Sequence, residues 1–184
     1  FDTASTQQAA DIPSTEARAK YAEESRHGDR DIYKGLTLWS PNINIFRDPR
    51  WGRGHETFGE DPFLTAELGK AYVHGLQGDD EHVLKTAACA KHLAVHSGPE
   101  SLRHSFDATA SPKDLEETYL PAFEALVKDA HVESVMGAYN RVNGEASCAS
   151  RFLMGKLKEW GFDGYFVSDC WAIRDFHENH HLTE

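Results

Sequence analysis

Apolar and polar positions fall in blocks along the chain, each with its own period. Residues 2–26 (DTASTQQAADIPSTEARAKYAEESR) are rich in Ala, Glu and Gln and predict a helix, with Pro13 as a point of interruption. Residues 36–46 (LTLWSPNINIF) hold short apolar runs and predict a strand broken near Pro41. Residues 47–61 are polar, carry Gly52, Gly54 and Gly59, and predict a long loop. Asp61-Pro62 then reads as a helix start, Asp as N-cap and Pro at the first helical position. Leu64, Leu68, Val73 and Leu76 give that helix an apolar stripe, and Gly78 stands where a C-terminal cap belongs. Residues 86–94 (TAACAKHLA) predict a buried strand and residues 95–110 a polar loop.

Ser111-Pro112 opens another helix, with Asp114 completing a weak capping box. Leu115, Tyr119, Phe123 and Leu126 share one face of it, and Pro121 is expected to kink or shorten it. Residues 133–139 (ESVMGAY) predict a strand, 150–160 a helix closed by Gly161, and 164–168 (GYFVS) a strand, with a last helix beginning near Trp171. The second half thus alternates helix and strand, which predicts an α/β fold with parallel strands. Polar residues follow each strand: Lys91-His92, Tyr139-Asn140 and Ser168-Asp169. Parallel strands end on one rim, and polar groups gathered there are where barrels and open α/β sheets place their chemistry.

Asp169 is the sharpest candidate on that rim. A carboxylate held directly after an apolar strand suits a nucleophile or a general base; the competing role is capping the helix near Trp171. Lys91 and His92 come second. Neighbours on a strand face opposite ways, but a turn at the strand end brings both to the rim. Lys offers three donors and His one, a set suited to hydroxyls; an arbitrary Lys-His pair is more often a surface Lys beside a core His. The loop RDPRWGRGHETFGEDP is third, with three Arg and two aromatic rings, Trp51 and Phe58. Arg beside an aromatic suits polyol recognition; the alternative is an ion-pair knot such as Arg47 with Asp48 or Glu60.

Composition narrows the classes. With 19 Lys+Arg against 30 Asp+Glu the net charge is −11, the wrong sign for a nucleic-acid groove or a polybasic membrane surface. No apolar run approaches the roughly 18–20 residues of a bilayer span, and residues 1–10 show no signal-peptide pattern. The 184 residues suit one domain. Three cysteines, Cys89, Cys148 and Cys170, favour thiols, with a Cys148–Cys170 bridge left open. His92 and His96 stand four apart on a strand-to-loop passage, and HENHH near the C-terminus lacks completing ligands, so no metal site is expected. GxGxxG after a strand, GxxxxGK[ST] and GxSxG are absent, which removes support for dinucleotides, phosphate cradling and serine hydrolysis.

The strings WSPNINIFRDPRWGRGHETFGEDP, AKHLAVHSG, VMGAYNRVNGEASC and GFDGYFVSDCWAI, in this order, resemble the N-terminal barrel domain of glycoside hydrolase family 3, from about Ala9 to the C-terminus. The resemblance implies a (β/α)8 TIM-barrel-like fold, here as the central portion of the barrel, since about five or six strand-like segments are visible against eight in a closed barrel. It implies a retaining β-glycosidase acting on terminal β-D-glucosyl or β-D-xylosyl residues, with no cofactor. Asp169 maps to the nucleophile that forms a covalent glycosyl-enzyme. Arg53, Lys91 and His92 map to sugar-binding positions, and Tyr139 lies beside the nucleophile. The expected partners are a β-linked glucoside, a xyloside or a short oligosaccharide, with no nucleic acid and no membrane; oligomeric state is left open. Ser168-Asp169-Cys170-Trp171 departs from the common S-D-W string and leans toward the xylosidase and arabinosidase side of the family. The family's early sugar-binding Asp and its second α/β domain, the usual source of the acid/base Glu, are not among these 184 residues. Glu56, Glu60 and Glu100 are the in-chain carboxylates nearest the motifs, and their spacing selects none. A non-catalytic sugar-binding fragment is therefore the second hypothesis; it predicts ligand binding without turnover.

Overall fold

The structure, a computed structural model, describes residues 1–80 and 82–183. Helix α1 (Thr3–Arg26) starts at Asp2, whose side chain accepts from the Ala4 and Ser5 amides, and it continues through Pro13 without a break. Its packing on α2 (Pro62–Gln77) holds it there. Ser14 donates to the Gly75 carbonyl, and a Cβ on Gly75 would meet the Gln7 carbonyl oxygen at 2.3 Å, so the crossing point admits only glycine. As expected, α2 is capped by Asp61, which accepts from Leu64 N, and it ends at Gly78 with φ +75°.

The central sheet joins β1 (Thr37–Leu38), β2 (Ala87–Leu93), β4 (Ser134–Gly137) and β7 (Tyr165–Ser168), in that order and all parallel. Helix α2 connects β1 to β2. A short α3 (Pro112–Asp114), a π-helical turn at Leu115–Tyr119 and α4 (Pro121–Lys128) connect β2 to β4, and α5 (Arg151–Glu159) connects β4 to β7. The Ser111/Asp114 capping box forms. Pro121 acts as predicted: it ends the π turn and opens α4 at N1. Phe123, Leu126, Val73, Leu76, Leu93, Ile43 and Leu153 fill the core between helices and sheet.

The sheet is curled. Flat strands lie about 4.8 Å apart, which would set β1 and β7 roughly 14 Å from each other. Yet Thr37 Oγ1 and Tyr165 Oη, on these two edge strands, are 2.9 Å apart. Side chains of the concave face meet across the bend, as in a barrel wall. The fold is α/β, as expected.

Three expectations change. Only Thr37–Leu38 of the predicted 36–46 strand forms a ladder. Pro41 supplies no N–H, and the chain resumes alongside β2 through the Asn42–Lys91 bridge and the bond from Ile43 N to Lys91 O. The last helix, α6 (Asp175–Glu178), begins later than Trp171, because Trp171 itself sits at φ +63°, outside helical space. The loop regions also contain a second, small sheet: β3 (Asp107–Ala108) pairs in parallel with β5 (Arg141–Val142), which forms a hairpin with β6 (Glu145–Ala146). The Asn143-Gly144 pair between β5 and β6, with φ +49° and +87°, is the signal for that hairpin. Finally, all three cysteines are free thiols, so Cys148 and Cys170 are not bridged. Burial pushes the Cys148 thiol up to about 12 and Cys89 to about 11.

Candidate active site

Asp169 follows β7 directly, and its amide donates to Gly137 O at 3.1 Å, extending the β4–β7 pairing by one step. The backbone is thus fixed at the point where the side chain leaves the rim. The residue is 7% exposed. Oδ1 accepts from the Cys170 amide at 2.8 Å. Oδ2 makes no hydrogen bond among the described residues; it faces His92 Nε2 at 3.4 Å and an Arg53 guanidinium nitrogen, Nη1, at 3.8 Å. The side chain does not cap α6, which settles the competing role raised above.

Lys91 and His92 reach the same rim through a bulge. Lys91 pairs with Met136 and Leu93 with Gly137, so β2 spends one extra residue, His92, against β4. His92 is fully buried. Asn44 grips it on three sides: Oδ1 accepts from the His92 amide at 2.9 Å and contacts Nδ1 at 2.9 Å, while Nδ2 donates to the His92 carbonyl at 2.8 Å. Lys91 is half-buried, and that burial followed by the Arg53 charge holds its ammonium below the usual range.

Arg53 is tied down by Glu56, with Nε and Nη2 at 2.7 and 3.0 Å from the two carboxylate oxygens. Burial alone would raise the Glu56 carboxyl, but the fork of hydrogen bonds from Arg53 keeps it below its ordinary value. The expected ion-pair knot exists with other partners than proposed: Asp48 binds Arg50, and Arg47 lies over the Tyr119 ring. Tyr139 stands just past β4, and burial, then the Asp169 charge, raise its phenol far above the usual range. Asp169, Arg53, Lys91, His92 and Tyr139 therefore meet in one place, although they come from four separate stretches of chain.

Sequence reasoning missed several neighbours. Asn44 and Glu56 carry the supports just described. His96, set aside as four residues from His92, lies against it with ring centroids 4.6 Å apart, because Val95 at φ +54° turns the chain back. His96 is buried, contacts Asn140 Oδ1 through Nδ1 at 3.2 Å and meets Trp51 edge-on. His104 lies tilted against Tyr139, ring centroids 4.4 Å apart, and contacts the buried Asp175 at 2.9 Å. Among the described residues no cluster of three His, Cys, Asp or Glu side chains has metal-binding geometry, and no helix is long and apolar enough to cross a membrane.

Burial depresses His96 to about 3 and His92 well below the ordinary imidazole value of 6.5. Unfolding exposes both, so the unfolded chain binds more protons once the pH drops below about 6.5. Stability is then fully present above that pH and is lost on acidification, for His96 toward about 3 and by up to about 1.4 kcal/mol per pH unit, with His92 acting in the same direction. Chemical denaturation at pH 7, 6, 5 and 4 measures this; a midpoint unchanged between pH 7 and 5 would contradict the buried neutral pair.

The match to known proteins covers most of the chain. The model of the glycosyl hydrolase family 3 N-terminal domain matches residues 16–184. A xylan 1,4-β-xylosidase of Xylanibacter ruminicola is 52% identical over 176 residues, covering 92% of this chain and 20% of its own length. A β-xylosidase/α-L-arabinofuranosidase of Medicago sativa subsp. varia is 43% identical over 192 residues, covering all of this chain and 24% of its own. This chain therefore spans a fifth to a quarter of such relatives. Among solved structures, a GH3 exo-β-xylosidase in complex with a xylobiose aziridine probe superposes with a TM-score of 0.89 at 39% identity, over 99% of this chain and 24% of that one. The β-glucosidase of Listeria innocua with glucose gives 0.81 at 35%, over 98% and 24%. By family model, sequence and fold together, the chain belongs to glycoside hydrolase family 3, within its N-terminal domain.

Proposed function

We propose that this chain carries the nucleophile and the adjoining sugar-binding residues of a retaining β-glycosidase. The observation that carries the reading is Asp169 Oδ2: a buried carboxylate oxygen at a strand end, without a hydrogen bond among the described residues, between His92 and Arg53. Oδ2 attacks the anomeric carbon of a terminal β-glycoside as the bond from that carbon to the leaving oxygen breaks. The leaving oxygen takes a proton from a second carboxyl group. Water, deprotonated by that same group, then displaces Asp169 and restores the β-configuration. Arg53, Lys91, His92 and Tyr139 surround the ring hydroxyls, and the Arg53 guanidinium holds the carboxylate in place until charge develops on the sugar.

The second carboxyl must lie about 5–5.5 Å from the first in a retaining enzyme. Three carboxylates near this rim are committed elsewhere: Glu56 to Arg53 and Asn42, Glu100 to Arg103 and Gly52 N, Asp175 to His104 and Asn179. The reading therefore assigns the acid/base to a residue outside these 184 positions, in the part of the relatives' length that this chain does not span. Between the two sugars, similarity supports a xyloside: the xylosidase relatives reach 52% identity, and the xylosidase structure superposes at 0.89 against 0.81 for the glucosidase complex.

The test uses the full-length protein that contains this sequence. Incubation with a 2-fluoro-β-xyloside bearing a good leaving group is expected to trap the glycosyl-enzyme, and peptide mapping to find the label on Asp169. A label on any other residue overturns the assignment.

A further inference from the structure

His92 faces Asp169, and the protonation of its ring decides whether the attacking oxygen is free. The ring's state is set from the far side by Asn44. The orientation of the Asn44 amide is fixed by two backbone groups that have one role each: the His92 N–H can only donate, so it meets Oδ1, and the His92 carbonyl can only accept, so it meets Nδ2. Oδ1 is therefore an oxygen, and the ring nitrogen 2.9 Å from it must carry the proton. With Nδ1 protonated, a neutral ring has a bare lone pair on Nε2, the nitrogen that faces Asp169. Both Nε2 and Asp169 Oδ2 are buried without a hydrogen-bond partner among the described residues.

We infer that Asn44 is a positioning residue that locks His92 in the Nδ1–H tautomer, so that Nε2 accepts a hydrogen bond from a sugar hydroxyl and never donates to the attacking oxygen of Asp169. This reverses the donor role expected for His92 from its residue type. The inference rests on the reading of Asp169 as nucleophile. The physical logic is competition for Oδ2. A protonated Nε2 at 3.4 Å from a buried carboxylate would form a charge-assisted hydrogen bond and blunt its nucleophilicity. Burial opposes that proton first, and then the groups around the ring: His96 at 4.6 Å between ring centroids, Arg53 on the same carboxylate, and Lys91 and Arg103 beyond. The carboxylates of Asp169 and, behind Arg53, Glu56 favour it. Asn44 adds a neutral acceptor, where a carboxylate would tip the balance.

The decisive variant is Asn44→Asp in the full-length protein. Aspartate keeps an acceptor for both His92 N–H groups but adds a charge against the ring, which favours the imidazolium. The expected result is a fall in kcat/KM of about tenfold or more near pH 5–6, with recovery as the pH rises and His92 loses its proton. Asn44→Ala is expected to lose activity without the new ionisation. A pH profile of Asn44→Asp parallel to that of the wild type overturns the inference and leaves Asn44 a packing residue. Should Asn44→Asp not fold, ¹⁵N-histidine spectra of the wild type decide the matter, with His92 assigned through His92→Gln. An unprotonated Nε2 at pH 5 supports the lock, and an Nε2–H signal overturns it. Mapping of the trapped wild-type enzyme separates the two levels: a label away from Asp169 defeats the reading of the site, whereas a label on Asp169 with a parallel pH profile defeats only the role of Asn44.

Discussion

Asp169→Asn is expected to lower kcat/KM of the full-length protein on an aryl β-xyloside by about 10⁴-fold or more, the scale found when a nucleophile or its partner is removed. The substitution is nearly isosteric. Its Oδ1 retains the Cys170 amide, and the amide nitrogen in place of Oδ2 gains a partner in the bare His92 Nε2. The melting temperature should therefore hold or rise while activity collapses, and that separation marks a residue of the reaction and not of the fold. The smaller Asp169→Gly leaves room for azide. If Asp169 attacks the anomeric carbon, added azide takes its place on that face and yields the α-glycosyl azide. Were Asp169 the acid/base, the product would keep the β-configuration. Activity of Asp169→Asn within tenfold of the wild type would remove Asp169 from the mechanism.

Much of the fold was legible because its signals are local. Asp61-Pro62 and Gly78 bound α2 because a cap needs only its own few neighbours, and Ser111/Asp114 cap α3 for the same reason. Asp169 stood out because an apolar strand ending in a carboxylate is a pattern of five or six consecutive residues. What was not legible depends on contacts between distant positions. Asn44 and His92 are 48 residues apart, and His104 and Asp175 are 71 apart; no periodicity announces such a pair. His96 was set aside on the rule that strand residues four apart do not converge, which fails once a residue at positive φ turns the chain between them. The ion-pair knot was anticipated but its partners were not, because Arg47, Arg50 and Arg53 sit three apart in a loop whose path the residue types leave undetermined. The late start of α6 has the same origin: a helix is expected from near Trp171, yet the turn after Asp169 sets that residue at positive φ.

Arg53→Lys is expected to cost about 10²-fold in kcat/KM although the charge is kept, because the two side chains divide their donors differently. Arg53 spends Nε and Nη2 on Glu56 and leaves Nη1 toward Asp169. A lysine ammonium is a single point and must choose. Drawn to Glu56, it abandons the carboxylate of Asp169; drawn to Asp169, it leaves Glu56 partly buried with only the bond from Asn42. Glu56→Gln tests the other end of the fork: the glutamine oxygen keeps one acceptor, so the guanidinium loosens but stays, and a smaller loss of about tenfold is expected. If Glu56 acts by fixing Arg53, the double variant should lose little more than Arg53→Lys alone, since the clamp has already been opened. Additive losses would mean that Glu56 acts on the substrate independently, and unchanged kinetics in Arg53→Lys would mean that charge near Asp169 suffices without the fork.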